Sequence, residues 1–114
     1  LEKVSKATNF YNAPCVLIVC NDTSASWKRK YDGKEFGDID ATIVTDHMML
    51  MATELGLGTL WIGRFKPQVI KEEFNIPEGI EPINLLAIGY ADGEAKSPDR
   101  HDKDRKALSD IILS

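Results

Sequence analysis

The chain has little cysteine and no cysteine pattern that predicts a disulfide. Its two cysteines, Cys15 and Cys20, lie in one apolar run. Five positions separate them, and an odd spacing on a strand places two side chains on opposite faces, where they cannot pair. We therefore expect two free, buried thiols, as is usual for proteins of the reducing cytoplasm.

The chain also lacks an excess of positive charge and a long apolar run. A net charge of −4 argues against a nucleic-acid partner or an anionic membrane surface. No apolar run approaches the roughly 20 residues of a membrane span. The start, Leu1-Glu2-Lys3-Val4, is not that of a signal peptide. Because no Met precedes it, we expect a processed chain or a fragment.

The sequence also lacks the residue sets that are typical of well-known catalytic or metal sites. No Ser/His/Asp set, no pair of catalytic acids and no phosphate loop stands out. His47 follows Asp46, but no second His or Cys lies at a ligand spacing from it. We therefore predict no metal site.

The residues that are present predict one α/β or α+β domain. A length of 114 residues and an apolar fraction of 43% fit a single globular domain. Apolar runs without alternation indicate strands that are covered on both faces. The long central helix, with Asp38 or Asp40 as its N-cap, has an apolar set wide enough to be buried on much of its circumference, against the core and a subunit interface. The predicted helices are residues 1–12, 38–55 and a segment starting at Pro67, and the predicted strands are residues 15–20, 59–64 and 83–90.

The segment Gly56-Leu57-Gly58-Thr59-Leu60-Trp61-Ile62-Gly63-Arg64 joins the central helix to the second strand. Gly56 and Gly58 suit a helix end that turns left-handed, because glycine has no Cβ to clash there. The strand stops at Gly63, where the backbone could approach a flat ligand closely. This corner is either a ligand cradle or a packing corner.

Two polar segments also allow two interpretations. Residues 25–36 form a surface loop whose aromatic residues fold back on the core, or a lid that contacts a partner. The charged tail, residues 99–106, is either solvated or an anion clamp. The clamp would be built from Arg100, Lys103, Arg105 and Lys106.

Five motifs, taken in order, resemble the nitroreductase family over nearly all of residues 10–112. The first is the Ala-Pro and apolar strand, Asn12-Ala13-Pro14-Cys15-Val16-Leu17-Ile18-Val19, and the second is Gly37-Asp38-Ile39-Asp40-Ala41 with the helix and corner after it. The others are Phe65-Lys66-Pro67 with Ile76-Pro77-Glu78-Gly79, then Leu86-Ala87-Ile88-Gly89-Tyr90, and finally Asp104-Arg105-Lys106-Ala107-Leu108-Ser109-Asp110-Ile111-Ile112.

The resemblance implies an α+β fold, a three-layer α/β/α arrangement with a central, mostly antiparallel sheet. It implies one domain over residues 1–114 that is truncated at its N-terminus, because the family's first Arg-rich segment is absent. It also implies a homodimeric FMN oxidoreductase that passes hydride from NAD(P)H to nitroaromatic, quinone or similar small molecules.

By position in the family pattern, the corner would hold the flavin ring and the tail its phosphate. Trp61, Ile62, Gly63 and Arg64 would line the ring, with an amide of Gly63 or Arg64 near the reactive nitrogen. Lys103 and Arg105 would hold the phosphate. Arg64 departs from the family, which more usually has a small residue there.

Two other interpretations remain open at this point. One is a truncated, non-catalytic module of the same fold that dimerises or binds a small ligand. The other is a nucleotide- or regulator-binding α/β domain without a redox role, which is disfavoured because the corner lacks the order strand, glycine loop, helix.

Overall fold

The computed structural model describes residues 1–113 as a small α+β unit with an exposed C-terminal segment. The strands are β1 (Cys15–Asp22), β2 (Gly58–Ile62) and β3 (Ile80–Gly89). The helices are α1 (Glu2–Ser5), α2 (Gly37–Glu54), α3 (Pro67–Glu73) and α4 (Leu108–Ile111), with a 3-10 turn at Asp102–Asp104. The N-terminal helix is thus shorter than the predicted residues 1–12.

A three-stranded antiparallel sheet forms the centre, in the order β1-β3-β2. Leu85 and Ala87 of β3 belong to a buried cluster with Val4 of α1 and Ile62 of β2. Asn84 lies within hydrogen-bond distance of Thr45 in α2. Because neighbouring strand residues point to opposite faces, α2 covers one face of the sheet and the N-terminal segment covers the other. The predicted α+β fold with an antiparallel sheet is confirmed.

Both ends of α2 lie at glycine residues, but the N-terminal end of the helix differs from the prediction. The helix begins at Gly37 after Phe36, so the predicted N-cap at Asp38 or Asp40 is wrong. The Gly37 amide instead donates to Oε1 of Glu35 at 3.1 Å. Gly37 also has no room for a Cβ, which would lie 1.8 Å from the Asn21 side chain.

The end of α2 agrees with the prediction at Gly56 and differs at Gly58. Gly56 has φ +78°, and the amides of Gly56 and Leu57 donate to the carbonyls of Thr53 and Ala52. These two bonds are the Schellman pattern. Gly58 is instead the first residue of β2 and does not have a positive φ.

Burial is lower than the sequence predicted for α2, β1 and the cysteines. In α2 only Gly37, Ala41, Thr45 and Ala52 are buried, whereas Leu50 and Met51 are each 58% exposed. A single sheet covers one stripe of the helix and leaves the other apolar stripe open. The predicted burial of Cys15 is also wrong, because this residue begins an edge strand and is exposed; Cys20 is half-buried, and neither forms a disulfide.

The loop before α2 packs on itself. The rings of Trp27 and Phe36 meet edge to face with centroids 4.8 Å apart, and Tyr31 is 98% exposed. Within residues 1–113, none of the helices combines the length and the apolar character that a membrane span requires.

Residues 91–113, which we call the arm, are exposed throughout. Within residues 1–113, neither the 3-10 turn nor α4 packs against another helix or strand. The Cα radius of gyration is 16.9 Å, against about 13 Å for a compact chain of this length. The arm carries exposed Leu108, Ile111, Ile112 and Leu113.

Candidate functional site

The end of β2 opens onto a cavity of about 490 Å³, which we call the corner cavity. Residues 60–66 form one wall, and residues 7–9 with Tyr11 form the other. All four residues predicted for the corner, Trp61, Ile62, Gly63 and Arg64, line it. The structure therefore brings the predicted corner set together around one space.

These four residues have different surroundings. The Ile62 side chain is buried in the core cluster, so this residue offers mainly backbone to the cavity. A Cβ added at Gly63 would find no atom within 4 Å. The Arg64 side chain is exposed. The backbone at Gly63 is thus accessible from the cavity, as the sequence predicted.

Two amides at this strand end have no acceptor. In the described part of the chain, no group accepts a hydrogen bond from the amides of Arg64 or Phe65. Backbone donors are normally paired when they are shielded from water. These two donors are available to a ligand that carries negative charge or lone pairs.

The opposite wall is tied to the corner by two hydrogen bonds. The Thr8 hydroxyl donates to the Arg64 carbonyl at 2.8 Å, and the Lys66 amide donates to the Ala7 carbonyl at 3.1 Å. A bond of 2.7 Å from Lys6 to Glu73 joins the same segment to α3, and the Glu73 carboxylate raises the pKa of Lys6. The corner geometry is therefore held from both sides.

The charged residues that line the corner cavity are basic. Arg64 and Lys66 are among the lining residues, and no aspartate or glutamate is. This sign is opposite to the net charge of −4 of the chain. A concave site lined by one sign of charge concentrates the opposite sign, so the cavity favours an anionic ligand.

Lys103 and Arg105 lie on the arm and do not line the corner cavity. Lys103 is exposed in the 3-10 turn, and Nη1 of Arg105 lies 3.7 Å from Oδ1 of Asp102. The structure does not bring this pair to the corner residues, and the predicted phosphate contact stays a prediction.

Sequence reasoning missed the N-terminal wall. Thr8 and Tyr11 line the cavity, but no local spacing connects them to a strand end more than fifty residues away. The one available signal is the polar turn chemistry of Asn9 and Asn12 before Pro14. No group of three or more His, Cys, Asp or Glu side chains in residues 1–113 is placed to hold a metal ion.

A second cavity of about 550 Å³, which we call the adjoining cavity, borders the corner cavity. Its walls are residues 10–14, 58–60 and 87–92, and it shares Tyr11 and Leu60 with the corner cavity. The sheet end thus presents two neighbouring spaces.

Comparison with known proteins gives concordant matches. The model of the nitroreductase family matches residues 2–90. A Methanothermobacter thermautotrophicus protein named "Putative NADH dehydrogenase/NAD(P)H nitroreductase" is 33% identical over an alignment of 98 residues, and the match covers 82% of this chain and 49% of that protein. A protein of the same name from Archaeoglobus fulgidus is 30% identical, over 92% of this chain and 64% of that protein.

Solved structures give the same result. A nitroreductase family protein from Clostridium difficile 630 is 51% identical with a TM-score of 0.92, over 98% of this chain and 65% of that chain. An FMN-dependent nitroreductase from Clostridium difficile R20291 is 25% identical with a TM-score of 0.71, over 99% of this chain and 69% of that one. The chain thus spans about half to two thirds of the length of these four relatives.

Proposed function

The chain belongs to the nitroreductase family, and we propose that it is an FMN-dependent oxidoreductase. In this proposal it passes hydride from NAD(P)H through FMN to nitroaromatic, quinone or similar small-molecule acceptors. The names of its relatives, which include an FMN-dependent nitroreductase and NAD(P)H nitroreductases, support it. The observation that carries the proposal is the corner cavity with the free amides of Arg64 and Phe65.

The residues of the corner cavity fit a flavin. Its volume of about 490 Å³ lies within the roughly 300–1,000 Å³ of ligand pockets. Nothing occupies the space beside Gly63, so a flat ring can approach the backbone there. The basic lining suits a ligand that carries a phosphate and becomes more negative on reduction.

Each predicted corner residue has a role in the proposal. Bound flavin supplies the hydride chemistry, which the protein side chains cannot supply. Trp61 and the backbone of Ile62 and Gly63 would line the flavin ring. An amide at Gly63 or Arg64 would donate a hydrogen bond to the ring, where negative charge develops on reduction. The Arg64 guanidinium adds a permanent positive charge beside the ring.

For the phosphate we propose Lys103 and Arg105. Both side chains are exposed, and both lie in the outer part of the arm, whose 3-10 turn and α4 pack against no other helix or strand in residues 1–113. This outer part of the arm can therefore change position without breaking a contact between two helices or strands. A lysine and an arginine together offer charge-assisted donors to a phosphate dianion.

We further propose that the chain acts as a homodimer. The outer face of α2 exposes Ile43, Val44, Leu50 and Met51, each by half or more of its surface. The arm adds an apolar end at residues 108–113. Two copies that cover these surfaces would bury apolar area that one chain leaves in water.

Sedimentation tests the dimer. We expect a concentration-dependent dimer, and Val44→Asp in the centre of the exposed face should shift it to monomer. A wild-type chain that stays strictly monomeric at high concentration would contradict this proposal.

The two free cysteines support the further proposal of a reducing, cytoplasmic location.

The visible absorption spectrum tests the cofactor. The purified chain is measured before and after FMN addition and desalting, and a retained flavin band that bleaches with NADH or NADPH is the expected result. Absence of any retained flavin would overturn the FMN assignment for this chain and favour a ligand-binding module without turnover.

A further inference from the structure

The segment before β1 holds two consecutive non-glycine residues in the left-handed region. Tyr11 has φ 55° and Asn12 has φ 60°. In residues 1–113 the only other non-glycine residue with a positive φ is Asn75. Asparagine tolerates this region, but a bulky aromatic residue there is uncommon. The backbone at Tyr11 is therefore held in a conformation that the residue type does not favour.

Several hydrogen bonds hold this conformation. The Tyr11 amide donates to Oδ1 of Asn9 at 2.8 Å, and the Ala13 amide donates to the Phe10 carbonyl at 3.1 Å. The bond from Thr8 to the Arg64 carbonyl fixes the start of the segment. Such over-determined, unfavourable backbone conformations are enriched at ligand contacts.

Tyr11 lies where the two cavities meet. Tyr11 lines both the corner cavity and the adjoining cavity. It is 69% exposed, so the core does not account for its position. Two further aromatic residues, Phe10 and Tyr90, line the adjoining cavity. Aromatic walls of this kind suit a flat, unsaturated ligand.

From this placement we infer that Tyr11 is a specificity-determining residue that contacts planar aromatic electron acceptors in the adjoining cavity. The inference rests on the proposed function, because it assigns the corner cavity to the cofactor and the adjoining cavity to the acceptor. Tyr11 lines both cavities, so it lies between the two proposed occupants. The acceptor class is a flat quinone or nitroaromatic ring, which can stack on Tyr11.

Binding measurements without turnover test this inference. The FMN-loaded chain, free of NAD(P)H, is titrated with menadione, a naphthoquinone, by isothermal titration calorimetry. Loss of one aromatic contact predicts that Tyr11→Ala weakens menadione binding about 2- to 13-fold. Tyr11→Phe keeps the ring and should bind within twofold of wild type. In Tyr11→Ala the loss of FMN affinity should be smaller than the loss of menadione affinity, and Tyr11→Phe should keep both.

Tyr31 provides the matched control. It is 98% exposed on the loop before α2 and lines neither cavity. Tyr31→Ala should leave menadione binding unchanged. Equal menadione affinity in wild type and Tyr11→Ala, or an equal loss with Tyr31→Ala, overturns the inference. An equal loss of FMN and menadione affinity in Tyr11→Ala also overturns it, because Tyr11 then serves the cofactor.

The experiment distinguishes a failure of the proposed FMN-dependent function from a failure of the inference about Tyr11. If the wild-type chain binds no FMN, the cofactor assignment fails, and the same menadione titration is made on the flavin-free chain. The cavity walls belong to this chain, so the contrast between Tyr11→Ala and Tyr31→Ala is still expected. No difference between them overturns the inference on its own.

Glycine variants separate a ligand contact from a structural role. Glycine adopts positive φ without a steric cost. Tyr11→Gly and Asn75→Gly should therefore both raise Tm, while only Tyr11→Gly weakens menadione binding. A fall in Tm with Tyr11→Gly shows that the ring supports the fold and overturns the inference.

Discussion

Gly63 offers a direct test of the corner cavity, because the structure separates its effect on folding from its effect on a ligand. A Cβ at Gly63 meets no atom within 4 Å, and its φ lies outside the positive range. Gly63→Ala and Gly63→Val should therefore change the free energy of unfolding by less than about 1 kcal/mol. In the flavin-bound chain the added methyl groups enter the space that we assign to the ring.

The expected loss of FMN affinity follows from overpacking. Forcing extra methyl groups into a filled site costs about 1–3 kcal/mol, which corresponds to about 5- to 150-fold in Kd. We expect Gly63→Val to lie near the upper end and Gly63→Ala near the lower end. Fluorescence titration with FMN measures both, and thermal unfolding of the flavin-free chain measures stability.

Gly58→Ala is the matched control, since Gly58 is the first residue of β2, which ends just before Gly63, and does not line the corner cavity. Its added Cβ would make an ordinary contact of 3.5 Å with the Gly89 carbonyl. FMN affinity should be unchanged in this variant. Wild-type FMN affinity in Gly63→Val would refute the placement of the ring beside Gly63.

Three further predictions follow. Replacing Lys103 and Arg105 together by alanine should weaken FMN binding at least about 100-fold without unfolding the chain, because each charge-assisted bond contributes about 1.5–3 kcal/mol; calorimetric titration measures this. Thr45→Val removes the buried hydroxyl 3.0 Å from Oδ1 of Asn84 and should cost about 1–3 kcal/mol in urea unfolding. The pKa of Asp22 is lowered mainly by hydrogen bonds from the hydroxyl and the amide of Ser24. The Asp22 carboxylate therefore stabilises the fold above pH about 4, and this contribution is lost as the pH falls through the lowered pKa. An NMR titration of the carboxyl group measures this pKa.

Each of these predictions has a control. Unchanged FMN affinity after the double substitution would remove Lys103 and Arg105 from the phosphate site. Thr42→Val deletes an exposed hydroxyl with a similar bond to the carbonyl four residues earlier, so it should cost less than Thr45→Val, and equal costs would contradict the role of burial. Ser24→Ala should raise the Asp22 pKa toward its ordinary value, and an unmoved pKa would exclude the Ser24 bonds as its cause.

Local patterns in the sequence predict much of this fold. Uninterrupted apolar runs predict the strands, the position of Pro67 predicts the start of α3, and Gly56 predicts the left-handed end of α2. These features depend on residues close together in the chain. The antiparallel pairing came from family resemblance, because strand partners are far apart in sequence.

Features that depend on distant residues were not predictable in the same way. The bond from Thr8 to Arg64 joins residues 56 positions apart, and no local motif indicates it. The N-cap prediction failed because Glu35, outside the helix, occupies the place that an aspartate was expected to fill. The exposure of α2 was not predicted, because an apolar pattern indicates a helix face that packs against something. The pattern does not show whether the partner is the same chain or another.

The position of β3 constrains the order in which the chain can fold. β3 is the central strand but the last of the three in the sequence, and its residues pair with β1 on one side and β2 on the other, as in Cys15 with Ile88 and Leu60 with Ala87. During synthesis, β1 and β2 therefore emerge without a strand partner and wait for residues 80–89. Such non-local pairing is slow and leaves apolar strands open to aggregation. Cutting the chain before β3 removes every strand pairing of the sheet, whereas cutting it after residue 90 leaves all of them intact.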